Sequence, residues 1–272
     1  MRRNPTLVAG AAMVGIVVAL ALVSVVWTPW PATQVSPDRL WPPGSAHLMG
    51  TDGFGQDIFS RVLIGARSCL LVGVVAVTIG ALLGVPLGVV AAIDRGVLGR
   101  VLMRASDILY AFPALLLAIL LAAARGQGST LTAMTAIGIS SIPAFARVAR
   151  GATLQVLSQD YVLAARASGI RRTTIAVRHV LPNILPVVVV QASVSFGLAI
   201  LAEASLSYLG LGTPPTTPSW GRMIFEAQPY MYSDLNLAIW PGLFIAIAVL
   251  GFNLLGDGLR DLLDPTLREV ER

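Results

Sequence analysis

Apolar residues in this chain run on over lengths that no amphipathic period explains. Long apolar stretches occupy residues 6–26, 69–93, 105–124, 130–148, 184–205 and 235–256, and about 20 such residues are enough to carry a helix across the bilayer core. Helices are the expected element because a spanning segment in lipid has to satisfy its own backbone N–H and C=O groups. The pattern therefore predicts an all-α, polytopic membrane protein with six transmembrane helices. Within the second stretch, Gly73, Gly80, Gly84 and Gly88 recur at seven- and four-residue steps, which places them near one helical face and predicts close helix packing there. Pro113 is expected to kink the third span. Pro143 is expected to bend the fourth, which is rich in Ala, Ser, Thr and Gly and suited to packing among other helices.

One long polar interruption, residues 158–182, breaks the second half of the chain. It predicts a short helix, a break and a second short helix. Ser158 is placed to cap the first, Asp160 sits in its first turn, and Gly169 is placed to end it in a left-handed conformation. Thr173 or Thr174 is placed to restart the helix, and Pro182 marks entry into the next span. Ala164, Ala165, Ala167 and Ser168 give the first helix a thin surface, and Arg166, Arg171, Arg172 and Arg178 surround it with cations. Two roles fit: a docking helix seated in a groove of another protein, and an interfacial helix lying on anionic lipid. The residues alone leave both open.

Composition narrows the classes. The chain is 56% hydrophobic and 12% charged, against about 25% charged in a soluble domain. Its net charge of +5 does not point to nucleic acid, because the cations cluster at span ends. All 19 are Arg, and 14 of them fall on the side the span count assigns to the cytoplasm. That asymmetry predicts both termini in the cytoplasm and a retained first span rather than a cleaved signal peptide. With no Lys there is no phosphate-binding loop of the kind ATPases use, so any ATP hydrolysis belongs to a partner chain.

Cys69 is read as a buried structural residue, and His47 and His179 lie too far apart to suggest a metal or catalytic cluster. Asp52 and Asp57, among glycines, are read as caps, because the spacing of a calcium loop is missing. Trp27, Trp30 and Trp41 suggest an interfacial aromatic belt, with Tyr208 and Trp220 read as further interfacial anchors or, alternatively, as cargo contacts. Glu203 is the ionisable residue nearest a membrane interior. It and Gln191 are the candidate pathway residues, with a helix-packing role for Glu203 equally consistent.

Several of these stretches resemble one family. The order Ala164, Ala165, Gly169, Leu181, Pro182 resembles the EAA loop of bacterial ABC importer permeases, although Leu163 stands where the family has Glu and His179 where it usually has Ile. The segment from His47 to Gly73 resembles the GTDxxGRDxxSRxxxGAR signature of the oligopeptide and dipeptide permeases, with Gln56 in place of the usual Arg. The stretches EASLSYLGLGTPPTTPSWG, from Glu203, and GDGLRDLLDPTLR, from Gly256, are similar to the C-type subunit of the peptide and nickel transport family.

The resemblance implies a type I ABC importer permease fold in a bacterial cytoplasmic membrane. It divides the chain into an N-terminal helix with an external segment (1–67), a permease domain (68–265) holding the coupling helix region (158–182), and a cytoplasmic tail (266–272). It implies a non-catalytic subunit that binds no cofactor itself, translocates di- or oligopeptides and works with four kinds of partner. These are a second homologous permease, two ATPase domains carrying ATP and Mg, an extracytoplasmic binding protein, and membrane lipid. Tyr161, Ala164, Ala165, Arg166, Gly169, Leu181 and Pro182 would then couple the chain to the ATPase. Nickel or another small solute is the alternative cargo. A secondary transporter, an intramembrane enzyme and a membrane scaffold are the readings from other classes. The first usually needs several intramembrane acids or inverted repeats, and the second a nucleophile–base pair.

Overall fold

The computed structural model of the chain describes residues 4–94, 96–124, 129–214 and 216–263. Arg2, Arg3, Arg95, Arg125, Pro215 and the tail from Asp264 onward, with Arg268 and Arg272, lie outside the described residues. Among the described residues the regular structure is entirely helical. The helices are α1 (Pro5–Val26), α2 (Ile58–Ile93), α3 (Val97–Ala111), α4 (Ala114–Ala124), α5 (Thr130–Leu157), α6 (Asp160–Ala167), α7 (Arg172–Ile175), α8 (Leu181–Tyr208), α9 (Trp220–Ala227) and α10 (Asn236–Leu263). A π turn at Ala176–Val180 joins α7 to α8.

Five segments are long and apolar enough to cross a membrane: α1, α2, α5, α8 with the turns before it, and α10. The expected third span differs. It is not one kinked helix: Val97–Ala111 and Leu115–Leu121 meet at 88°, the geometry of a broken span or of a re-entrant loop. Pro113 is the cause. Proline removes one helical N–H and disfavours the helical region for the residue before it, and Phe112 is extended at φ −82°, ψ 122°.

Two boundaries also move. Residues 58–67, expected in the external segment, form the first turns of α2, because Asp57 caps the helix by accepting from the Ser60 N–H at 2.7 Å. At 36 residues α2 is about 54 Å long at 1.5 Å per residue, well beyond the bilayer core. α5 likewise continues past its apolar run to Leu157.

The bundle is built on backbone approach. α2 and α5 share the most extensive helix contact, and glycine permits it. A Cβ on Gly84 would sit 2.6 Å from the Ile142 carbonyl oxygen and 2.7 Å from Phe145 Cβ, and one on Gly80 would sit 2.9 Å from Ser141 Cβ. Gly88 lies against the Ala146 carbonyl in the same seam. Gly73 faces Phe196 of α8 instead, so the expected glycine face serves two neighbours. In lipid, where hydrophobic burial between helices gains little, such close van der Waals packing is the main attraction.

α1 lies along α10 with Gly10, Gly251 and Gly258 at the contact, and Asn4 donates from Nδ2 to Asp261 Oδ2 at 3.2 Å. The start of α1 and the end of α10 are therefore at one end of the bundle. Gln155 and Arg260 border a common cleft there, which brings the end of α5 to the same side. The segment between α1 and α2 folds over the opposite end, beside α9.

Replacing Gly84 by Leu is expected to force α2 and α5 apart at a cost of about 1–3 kcal/mol. Thermal unfolding of the purified chain in detergent checks this: Gly84→Leu should melt lower. Gly15→Leu, at a position with no atom within 4 Å of the added carbon, should melt like the parent.

Candidate functional site

α6 is a short crossbar between two long helices, and its ends are set locally. Ser158 does not cap it; it closes α5 instead, with Oγ donating to the Gln155 carbonyl at 2.8 Å. Gln159 takes the N-cap position with an extended backbone, and Asp160 occupies the first turn. At the other end Gly169 has φ +75°, the left-handed state that glycine adopts without steric cost. The Ile170 N–H reaches the Ala165 carbonyl at 3.2 Å, which gives the helix a Schellman-type stop. α7 restarts at Arg172, one residue before the expected threonines. The widened turn that follows has a direct reason, since Pro182 offers no N–H and its ring crowds the carbonyl four residues back.

Orientation decides what α6 can do. Val162 is fully buried and Ala165 is 8% exposed. Both face the bundle, where Val162 packs with Val89, Ala149, Leu157, Ile175 and Val180. The opposite face carries Leu163, Ala164, Ala167 and Ser168, all exposed, with Leu163 at 48%. Tyr161 stands at the edge, also exposed, its ring 6.1 Å from that of His179. Ala165, expected on the docking face, is instead part of the seat. A helix buries positions three and four apart, and here Val162 and Ala165 are that pair.

The remaining coupling candidates, Tyr161, Ala164, Arg166, Gly169, Leu181 and Pro182, are exposed. Arg166, Arg171, Arg172 and Arg178 are exposed too, and none has an ion-pair partner among the described residues. Beside them an open cleft of about 620 Å³ lies between the α2–α3 turn and the segment after α6.

The two candidate pathway residues lie apart. Glu203 is 2% exposed. Its Oε1 accepts from Ser207 Oγ at 2.6 Å and Thr213 Oγ1 at 3.0 Å, so the carboxyl is bound into the turn that follows α8. Gln191, twelve residues earlier in sequence and about 18 Å away along the helix, donates to Ser195 Oγ at 3.0 Å. It borders a cleft of about 550 Å³ with Val148, Gln155, Pro186 and Arg260.

The end of the bundle opposite α6 holds a polar clasp that the sequence reading did not assemble. Arg61, 3% exposed, donates to Asp52 and, at 2.6 Å, to Glu226 Oε2. Glu226 also accepts from Arg222 Nε at 2.8 Å. Asp52 and Asp57 do act as caps as expected, Asp52 by accepting from the Phe54 and Gln56 N–H groups. His47 Nδ1 is 2.9 Å from Asp57, tying the external segment to the start of α2. The i,i+4 spacing of Arg222 and Glu226 was the one available signal for the pair on α9. Trp220, expected as an interfacial anchor, is 1% exposed. It fills the notch left by Gly65 and donates from Nε1 to the Val62 carbonyl at 3.1 Å.

Comparison with known proteins gives this arrangement its family. Residues 84–269 match the family described as binding-protein-dependent transport system inner membrane component. The chain belongs to that family. The match begins in the last third of α2 and takes in α6, so the crossbar lies in the shared part, while the clasp is split, with Asp52 and Arg61 before the matched residues and Arg222 and Glu226 within them.

The glutathione transport system permease protein GsiD of Pectobacterium atrosepticum is 46% identical over 226 residues, covering 83% of this chain and 75% of that protein. The dipeptide transport system permease protein DppC of Alkalihalophilus pseudofirmus is 36% identical over 269 residues, 98% of this chain and 88% of that one. Among solved structures, an inward-facing form of the MetNI methionine ABC transporter superposes with a TM-score of 0.61 at 20% identity. It covers 76% of this chain and 95% of its own, a likeness of fold. The chain is thus a non-catalytic permease subunit of an ABC importer, in which the ATPase is a separate partner.

Removing the guanidinium of Arg61 would leave Asp52 without its cation and Glu226 with Arg222 alone. Arg61→Ala is expected to cost about 3–5 kcal/mol and to loosen the external segment. A melting temperature and a proteolysis rate between α1 and α2 both like the parent's would contradict that role.

Proposed function

We propose that this permease carries short peptides across the cytoplasmic membrane of a bacterium, with α6 as the element through which an ATPase drives it. The observation that carries the reading is the two-sided character of α6. It is held to the bundle by Val162, buried in a cluster with residues of α2, α5 and α8, and carries the largely buried Ala165 beside it, while its outer side is bare. A free surface helix would have no need of the first property, and a core helix none of the second. The end of the bundle bearing α6 is the cytoplasmic one in this reading, in accord with its arginines, and both termini lie there. The names of the two relatives, glutathione and dipeptide permeases, support peptide over nickel as cargo.

The partners are a second homologous permease completing a heterodimer, two ATPase domains holding ATP and Mg, and a binding protein delivering cargo at the far end. ATP binding draws the ATPases together and shifts the seated α6 with the ends of α2, α5 and α8. The bundle then exchanges between openings to either side. The partner biases this two-state equilibrium by binding one state better. Gln191 borders a cleft at the end of the bundle bearing α6 and is the better pathway candidate. Glu203 fastens α8 to its following turn.

The test is uptake by vesicles containing the complex copurified from native membrane, with binding protein outside and ATP inside. Labelled glutathione or dipeptide should accumulate only with ATP. Gly169→Leu, which forces a side chain into a left-handed position at about 1–2 kcal/mol, should lower uptake severalfold. Uptake driven by an ion gradient without ATP would contradict the importer mechanism, and accumulation of nickel without peptide would contradict the cargo.

A further inference from the structure

The open cleft beside α6 has a composition that the crossbar itself does not explain. Its walls are Ile93, Asp94 and Gly96 from the α2–α3 turn, and Arg166, Ile170, Arg172 and Ile175 from the α6–α7 segment. It is about 620 Å³, room for several side chains. Neither Arg166 nor Arg172 has a hydrogen-bond or ion-pair partner among the described residues, and both are exposed. The acid on the rim, Asp94, accepts from the Gly99 N–H through Oδ2 at 2.8 Å and forms no ion pair with either arginine. The cleft therefore offers two guanidiniums without an ion-pair partner among the described residues, in a mainly polar lining, with the exposed Ile170 and the half-buried Ile93 beside them. A planar guanidinium suits a carboxylate in a two-point contact, and Ile93 and Ile170 suit the short apolar stem that bears it.

We propose that this cleft is a socket for an acidic segment of the ATPase, distinct from the groove contact made by the outer face of α6. This rests on the reading that α6 docks to that partner. The two contacts are reciprocal. The permease inserts Leu163, Ala164 and Ala167 into the ATPase, and the ATPase returns a carboxylate-bearing segment between Arg166 and Arg172. The consequence is mechanical. Because Ile93, Asp94 and Gly96 form the other wall, the ATPase grips the α2–α3 turn as well as α6, and its motion reaches α3 directly.

The experiment uses lipid nanodiscs of phosphatidylcholine holding the permease pair stripped of ATPase, titrated with the purified ATPase subunits. Three versions of this chain are compared across a range of salt: the parent, Arg166→Gln with Arg172→Gln, and Ala164→Trp. The parent should bind more weakly as salt rises, since partly exposed charge pairs are screened. The double Gln variant should bind about tenfold more weakly at low salt and lose most of the salt dependence. Ala164→Trp should weaken binding while keeping the salt slope.

If Ala164→Trp weakens binding and the double Gln variant matches the parent at every salt concentration, the socket is wrong and the docking of α6 stands. If both variants bind like the parent, the docking reading itself fails. Repeating the titration with anionic phosphatidylglycerol separates the remaining source of anions. A Gln effect seen only in that lipid would assign the cleft to lipid headgroups and overturn the proposal.

Discussion

The constraint on which the proposed coupling role of α6 depends is that the helix is fastened to the bundle on one face. Val162 sinks into a cluster built from the ends of α2, α5 and α8, with Ala165 largely buried on the same face. Burial of such groups is worth roughly 25 cal/mol per Å² removed from water, enough to hold a two-turn helix that would not persist alone. The stop at Gly169 and the widened turn before Pro182 fix where the crossbar ends. Without that seat, the exposed alanines would be a mobile loop, and force applied to them would be lost.

The seat in turn depends on how closely the long helices approach. Gly80, Gly84 and Gly88 bring α2 against α5 within carbonyl contact, so the two helices pack closely and deliver Val89 and Ala149 to the same cluster. At the other end the Arg61 clasp, together with Trp220 in the Gly65 notch, joins the external segment and α9 to the same long α2. A single 36-residue helix thus connects the region around α6 to the opposite face.

Much of this was legible in the chain. The apolar runs announced the spans because lipid admits few alternatives, and Gly169 announced its own left-handed turn because few other residues take that conformation cheaply. What stayed hidden was relational. Nothing local tells whether Ala164 or Ala165 faces the bundle, because a surface made of alanine looks alike on both sides until its neighbours are placed. Trp220 read as an interfacial anchor because its partner, the Gly65 notch, lies more than 150 residues away. Pro113 signalled a bend but not 88°, an angle that depends on what α3 and α4 pack against. Ser158 sat between two helices and belonged to the earlier one.

Disulfide trapping between α6 and the ATPase, in the assembled complex with Cys69→Ala as background, tests the central claim most directly. Cysteine placed at Ala164 should trap the ATPase efficiently, with a yield that changes between ATP-bound and nucleotide-free states. Cysteine at Ala165, turned into the bundle, should trap far less. Equal trapping from both positions, or trapping from neither, would contradict the picture of a crossbar seated on one face and engaged on the other.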